Sequence, residues 1–383
     1  MRHVVTLFDK SRNHPRPLSS VVVEDGRVEF IDAYLPGTGL RLKQVRNGVQ
    51  RVRELLEDGA LCNDCVTHLL GFGLELHGGH GLVESCVPVA AGRARDAASV
   101  RKSLLRAAVE SVRSVREDPW RVLMGRASVM YAILQQRGVM HGYRRVDGIH
   151  YDLGTYTGRS RTTGFNVQGM TGETAVRHVR DDYDWFVCLD WTAADVRMAA
   201  FMSGDGPMAA AFSRGDPYSV IAECLGEPSR EQCKRDFFRS FYSLRTDDPV
   251  FQPFPEFRKW MADRVARMRS EGFVETILGR RYGVGGENGR NELSVFNAQF
   301  QGSVAHAMHS VMARLLRRCP QNVLTEVHDS VVLCAPENSI GELLPSLQEI
   351  VARPLEGVGG LMMPLRVSVG RRWRGWKLLR SVP

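Results

Sequence analysis

The sequence predicts an α/β (α+β) fold, and three observations carry that prediction. Apolar, β-branched runs of strand length recur at 4–8 (V-V-T-L-F), 19–23 (S-S-V-V-V), 184–191 (D-W-F-V-C-L-D-W), 322–327 (N-V-L-T-E-V) and 330–335 (S-V-V-L-C-A). Between them, residues 94–115, 120–137 and 230–244 repeat their apolar residues at helical spacing. The bulk numbers fit a packed protein: 383 residues, 43% hydrophobic and 25% charged, are enough for two or three domains and exclude a disordered chain.

Charge narrows the partners. The formal net charge of +8 favours an anionic ligand, and Lys supplies only six of the 51 basic residues. Arg binds phosphate in a planar, two-pronged way, although a GC-rich genome gives the same excess. No stretch approaches the ~18 apolar residues of a membrane span, and no targeting segment opens the chain. The expectation is a cytoplasmic protein of a bacterial cell or phage-infected host, with no membrane partner. The eight Cys are scattered, as reduced thiols are.

Along the chain, residues 1–92 read as a small α/β domain, with strands around an E-D-G turn at 24–26 and helices at 49–57 and 66–76. Cys62, Cys65, His77 and His80 form C-x2-C-x11-H-x2-H, near zinc-finger spacing. The apolar L-L-G-F-G-L-E-L between them suits a buried core element better. The 94–115 helix carries Val100, Leu104, Leu105, Ala108, Val109 and Val112 on one side and arginines on the other. A second helix at 120–137 leads into G-V-M-H-G-Y-R-R-V-D-G-I-H-Y, where the period becomes that of strands.

The chemistry concentrates further on. The strand at 184–191 ends on Asp190, either a site acid or a helix cap. In R-E-Q-C-K-R-D-F-F-R-S-F-Y at 230–242, Ser229 and Gln232 fit a capping box, and no Gly or Pro interrupts the helix. Steps of four place Arg230, Lys234, Phe238 and Tyr242 on one slowly drifting stripe. Two cations followed by two rings suit a nucleoside triphosphate, phosphates at one end and base and sugar at the other. His328 and Asp329 occupy the tight turn between two strands. Asp190 and Asp329 are therefore candidate ligands for two Mg2+ ions, with Mn2+ as a substitute, roughly 3.5–4 Å apart as in-line phosphoryl transfer requires.

These blocks resemble the family A DNA polymerases over residues 118–376. T-G-R-S-R-T-T-G-F-N-V-Q (157–168) is similar to the family's T-G-R-L-S-S-x-x-P-N-L-Q, and D-W-T-A-A-D-V-R (190–197) to the motif A sequence D-Y-S-Q-I-E-L-R. Arg230, Lys234, Phe238 and Tyr242 match the R-x3-K-x3-F-x3-Y of motif B. G-F-V-E-T-I-L-G-R-R with N-A-Q-F-Q-G (297–302), V-H-D-S (327–330) and V-G-R-R-W (369–373) resemble the remaining blocks, in the family's order.

The resemblance implies a right-hand polymerase palm (151–205 and 275–383) and fingers (206–274). Asp190 and Asp329 become catalytic metal ligands, with Lys234 beside them in catalysis. Arg230, Lys234, Phe238, Tyr242 and Asp195 bind the nucleotide. Arg159, Asn166, Gln168, Arg197, Asn297, Gln301 and His328 face the nucleic acid. The partners implied are primer-template DNA, deoxynucleoside triphosphates and a processivity or replication protein.

Departures from the family also carry expectations. Residues 93–150 form a helical connector with the thumb reduced or absent. Residues 1–92 resemble a degenerate, RNase H-like 3'-5' exonuclease domain, because Thr67 stands where an acid is expected and no D-x-E pair accompanies Asp9. Proofreading is therefore not expected. The motif A Glu, which in the family pairs with the fingers Tyr and crowds the sugar 2' position, is Asp195, and Ser330 replaces Glu after Asp329. Both substitutions loosen the case for strict deoxynucleotide use; RNA or primer synthesis and untemplated end extension are the enzymatic alternatives to DNA synthesis. A nucleic-acid-binding accessory protein is the non-enzymatic alternative.

Overall fold

The computed structural model describes residues 119–382, apart from 173–175, 181–182, 214–216, 227–228, 286–289 and 356–357, together with the backbone of five N-terminal strands. The side chains of the C-x2-C-x11-H-x2-H pattern and of Asp9 and Thr67, and the helices expected at 49–57, 66–76 and 94–115, lie outside the described residues.

The N-terminal strands are β1 (Arg2–Asp9), β2 (Arg16–Glu24), β3 (Arg27–Asp32), β4 (Leu61–Cys62) and β5 (Val83–Glu84). They form one sheet in the order β3-β2-β1-β4-β5. β1, β2 and β3 are antiparallel, with Glu24 opposite Arg27 as the E-D-G turn predicts, whereas β4 and β5 run parallel to β1.

Helix α1 (Pro119–Arg137) leads into short hairpin strands: β6 (Val139–His141) with β7 (Arg144–Val146), and β8 (Ile149–Asp152) with β9 (Arg161–Gly164). β10 (Val176–Arg177) extends the first of these. β11 (Trp185–Trp191) is the centre of the main sheet and is followed by α2 (Ala194–Ser203). Four helices come next: α3 (Gly206–Ser213), α4 (Pro217–Leu225), α5 (Arg230–Phe241) and α6 (Pro255–Glu271). The chain returns through the hairpin β12 (Phe273–Glu275) and β13 (Arg281–Gly283) into the long helix α7 (Glu292–Arg318). β14 (Val323–Val327), β15 (Ser330–Ala335), helix α8 (Ile340–Ala352), β16 (Leu365–Gly370) and β17 (Lys377–Val382) complete it. The main sheet has the order β14-β15-β11-β16-β17, antiparallel throughout.

Both faces of that sheet are covered, and the period-two pattern of β11 divides its residues between them. Val187, Leu189 and Trp191 pack on α1, α7 and α8, while Phe186 and Cys188 pack with Val332, Cys334 and Trp373 on the other side. A third core joins the helices after α2 and is built from rings, among them Phe237, Phe241, Phe251, Phe257, Phe296 and Phe300. Asp205, fully buried, ties this layer together, accepting the Met208 N–H at 2.6 Å and the Phe257 N–H at 2.8 Å. These are the starts of α3 and α6, so one carboxylate caps two helices.

Helix α7 runs through the ring-rich core and the core between the sheet and helices α1 and α8. Its 27 residues make a rod about 40 Å long, capped by Asn291, whose side chain accepts the Ser294 N–H at 2.9 Å. Val295, Phe296 and Phe300 belong to the ring-rich core, and the residues from Val304 to Leu316 to the sheet core. Two fully buried histidines interrupt its apolar surface, His306 and His309. The Gly158 carbonyl can only accept, so His309 Nε2 carries the hydrogen across their 2.8 Å contact, and Nδ1 accepts from the Tyr131 hydroxyl at 3.2 Å.

That arrangement needs a neutral ring. Burial lowers the His309 pKa to about 4 and that of His306 to about 3, from 6.5. The unfolded chain takes up these protons first, so the stability associated with neutral burial is present above pH ~6.5 and is lost as the pH falls towards 4. Between pH 6.5 and 5 each such histidine removes about 2 kcal/mol. His309→Gln should therefore show a smaller loss of unfolding free energy than the wild type over that interval, measured by urea titration at the two pH values.

Candidate active site

Asp190 and Asp329 come together through strand register. Asp190 lies opposite Ser330 on β15 and Arg366 on β16. Val327 pairs with Ser330, which leaves His328 and Asp329 as a two-residue turn, with His328 at φ +60°. The Trp191 N–H donates to the Asp329 carbonyl at 3.0 Å, joining the end of β11 to that turn. Asp190 thus lies in a strand and not at a helix cap; the residue before α2 is Ala193, at φ +55°. The Ser330 hydroxyl turns back to the Val327 carbonyl at 2.9 Å.

Both acids resist ionisation. Burial, then the charge of Asp329, pushes the Asp190 pKa up to about 6, against the opposing pull of Arg366 and Arg374. Burial also raises that of Asp329, and Asp195 adds to the rise, while Arg159 and His328 oppose it. Two partly desolvated carboxylates side by side are a donor set that a divalent cation would satisfy.

The α5 stripe forms as the spacing predicts. Ser229 caps the helix, accepting the Gln232 N–H at 3.3 Å. The return half of the expected capping box is absent: the Gln232 amide instead donates to Asp236 at 2.8 Å. Arg230 and Lys234 both lie over the ring of Tyr218 on α4, at 5.7 and 5.8 Å. Phe238 and Tyr242 stack in parallel at 5.8 Å. The helix ends at Phe241, short of the Leu244 expected from sequence, with Tyr242 as its C-cap.

Tyr242 reaches the sheet side of the site. Its hydroxyl donates to Asp195 Oδ2 at 2.7 Å, and Arg159 Nη2 donates to both Asp195 oxygens at 2.9 and 3.2 Å. Asp195 and Tyr242 therefore pair even though this acid is one methylene shorter than Glu. The loop presenting Arg159 depends on Gly158, which has φ +80°; a Cβ there would lie 2.5 Å from the Arg280 guanidinium. Arg280 itself reaches the Tyr156 carbonyl at 3.3 Å and lies over Tyr282.

The residues expected to face nucleic acid divide into two groups. His328 is exposed, and Asn297 and Gln301, one turn apart on α7, are half-buried. Asn297 donates to the Tyr242 carbonyl at 3.3 Å. Asn166 is exposed, but its Oδ1 accepts from Thr162 and from the Gly169 N–H, a loop-forming role. Two expectations are corrected. Arg197 is buried, donating to the carbonyls of Thr192 at 2.7 Å and Phe212 at 3.1 Å and lying over the Phe212 ring, which ties α2 to α3. Gln168 is also buried, its amide accepting from the Thr162 N–H and donating to Ser160, each at 2.8 Å. Tyr218, Arg366, Ser160 and Glu326 were not singled out from sequence, because only long-range pairing brings them to the site.

A five-stranded antiparallel sheet that carries two neighbouring acids, beside a helical layer that carries a stripe of cations and rings, is the class of fold that this geometry defines. Residues 245–375 match the family model for DNA polymerase family A. The thermostable DNA polymerase I of Thermus thermophilus is 27% identical over 258 residues, covering 56% of this chain and 31% of that protein. The DNA polymerase I of Chloroflexus aurantiacus is 26% identical over 274 residues, covering 60% of this chain and 29% of that protein. The POL domain of Pol1 from M. smegmatis, solved in complex with DNA primer-template and dNTP, matches with a TM-score of 0.64 at 15% identity, covering 98% of this chain and 96% of that one. These likenesses relate residues 245–375 to DNA polymerase family A, and the fold to that of the POL domain. The chain spans about a third of the length of the curated relatives it matches.

Arg197 offers a test of the correction. Arg197→Met should lower unfolding free energy by about 1.5–3 kcal/mol, as loss of a charged group's buried hydrogen bonds does. DNA affinity of the remaining folded protein should stay unchanged, with chemical denaturation and a gel shift giving the two readouts.

Proposed function

We propose that the chain is a template-directed DNA polymerase, which adds deoxynucleotides to a primer 3' end by two-metal phosphoryl transfer and does not proofread. The observation that carries this reading is the pairing of Asp190 with Asp329 beside a cation-and-ring stripe that ends on Asp195. The known complex of the M. smegmatis POL domain with primer-template and dNTP supports DNA and nucleotide as partners.

On this reading Arg230 and Lys234 take the triphosphate. Among the described residues Lys234 has no carboxylate partner, so its charge is available to a phosphate. Phe238 and Tyr242 take the base and sugar, with Asp195 beneath the sugar. Asp190 and Asp329 would hold divalent cations, Mg2+ or Mn2+, whose chemistry there would be charge stabilisation of the transferring phosphoryl group and a lowered pKa of the primer hydroxyl. Asn297, Gln301, His328 and Arg159 meet the primer-template through sugar and phosphate, contacts that position a duplex without reading its sequence.

The separation of the two sheet-face cores from the ring-rich core supports a palm of residues 151–205 and 275–383 and fingers of 206–274, with α7 shared. The N-terminal strand order, three antiparallel strands followed by two parallel ones, supports an RNase H-like unit in residues 1–92. The Asp195–Tyr242 hydrogen bond favours deoxynucleotides over ribonucleotides, because the pair that would crowd a 2'-hydroxyl is formed.

Asp190→Ala and Asp329→Ala should each abolish metal-dependent primer extension while leaving the circular dichroism spectrum unchanged. Near wild-type turnover in either would end the two-metal assignment. Lys234→Ala should raise the KM for nucleotide or lower kcat by roughly 10- to 150-fold, the equivalent of one charge-assisted contact, with DNA affinity preserved. An equal loss of duplex binding in a gel shift would instead assign Lys234 to the template.

A further inference from the structure

A second carboxylate, unused in the proposed chemistry, lies three residues before Asp329. Glu326 is 3% exposed, on a strand whose five residues are all buried. Its Oε1 accepts from the Ser160 hydroxyl, while Oε2 is buried with no hydrogen-bond partner among the described residues. A carboxylate in such a place is costly, and burial pushes its pKa up to about 7, eased by the Ser160 hydroxyl and by the charge of Arg159. An apolar residue would be cheaper for packing alone, since Leu324 and Val327 on the same strand are apolar and buried.

What Glu326 holds is the loop that carries Arg159. The Thr162 N–H donates to Gln168, the Gln168 amide donates to Ser160, and Ser160 donates to Glu326, so the carboxylate ends a directed line of hydrogen bonds. On the other flank, the Gly158 carbonyl is held by His309. Arg159 is therefore fixed on both sides. From it the contacts continue through Asp195 to the Tyr242 hydroxyl. The strand that leads into the Asp329 turn is thus connected, through Glu326, to the last residue of the stripe.

We propose that Glu326 is a positioning residue for nucleotide-sugar selection: by accepting from Ser160 it fixes the 157–162 loop so that Arg159 holds Asp195 under Tyr242. This rests on the reading that Asp195 and Tyr242 receive the sugar. The requirement is for an acceptor at Oε1, which an amide also supplies.

The test compares single-turnover incorporation of a deoxynucleotide and its ribonucleotide counterpart on one primer-template, in Mg2+, by the wild type, Glu326→Ala, Glu326→Gln and Ser160→Ala. The alanine variants should lose about tenfold in deoxy-over-ribo discrimination, through the KM of the two nucleotides more than through kcat. Glu326→Gln should stay within about twofold of the wild type. If Glu326→Ala does not fold, the small change Ser160→Ala carries the same expectation. Unchanged discrimination in Ser160→Ala, or a loss in Glu326→Gln equal to that in Glu326→Ala, would overturn the proposal while leaving the polymerase reading intact. Absence of incorporation by the wild type would instead overturn that reading and this inference with it.

Discussion

The register of β11 against β15 is the constraint on which the rest of the site depends. Side chains alternate along a strand, so a slip of one residue would turn Asp190 into the face that Leu189 and Trp191 fill against the helices. Three things oppose that slip. β11 is paired on both edges, by β15 and β16. Its two faces enter different apolar cores. The Trp191 N–H is fixed to the Asp329 carbonyl. The carboxylates repel each other and lie in partly desolvated positions, so nothing in their own chemistry brings them together; apolar packing and ladder hydrogen bonds do.

Helix α7 extends that order to the fingers. Because its first turns belong to the ring-rich core and its last turns to the sheet core, the two layers share one rigid element. Asn297, donating to the Tyr242 carbonyl, and His309, holding Gly158, are on this same helix. The stripe residue nearest the sheet and the loop carrying Arg159 are therefore both referenced to one rod. Asp195, bonded to Arg159 and Tyr242, is where the two meet.

Much of this was legible in the sequence where signals were local. The β11 and β14–β15 strands, the α5 cap at Ser229 and the four-residue stripe are written in short windows whose periodicity and turn residues suffice. The failures are of another kind. Arg197 reads as a cation on a helix after a motif acid, yet the carbonyls it satisfies belong to the end of β11 and to α3, and only the packed arrangement makes burial cheaper than exposure. Gln168 likewise has an amide that a loop can either present or consume, and here Thr162 and Ser160 consume it. Gln232 was expected to close a capping box, but Asp236 one turn later offers a charged acceptor at good geometry. Ser160 and Glu326 are 166 positions apart, so no local pattern could have paired them.

The distribution of charge explains why the three acids of the site differ. Asp195 has a guanidinium on both oxygens and a phenol besides, and so is compensated within the protein. Asp190 and Asp329 have cations nearby, Arg366, Arg374, Arg159 and His328, but burial outweighs them, helped by the charge of Asp329 on Asp190 and of Asp195 on Asp329, and both pKa values rise. An arginine bonded directly to either acid would lower that cost, yet it would occupy the space and the lone pairs that an incoming cation needs. The fold instead holds the arginines at the margin of the pair and fixes the carboxylates through the backbone. That leaves a donor set destabilised in isolation, which on the proposed reading a divalent ion would relieve, whereas Asp195 is already compensated by Arg159 and Tyr242.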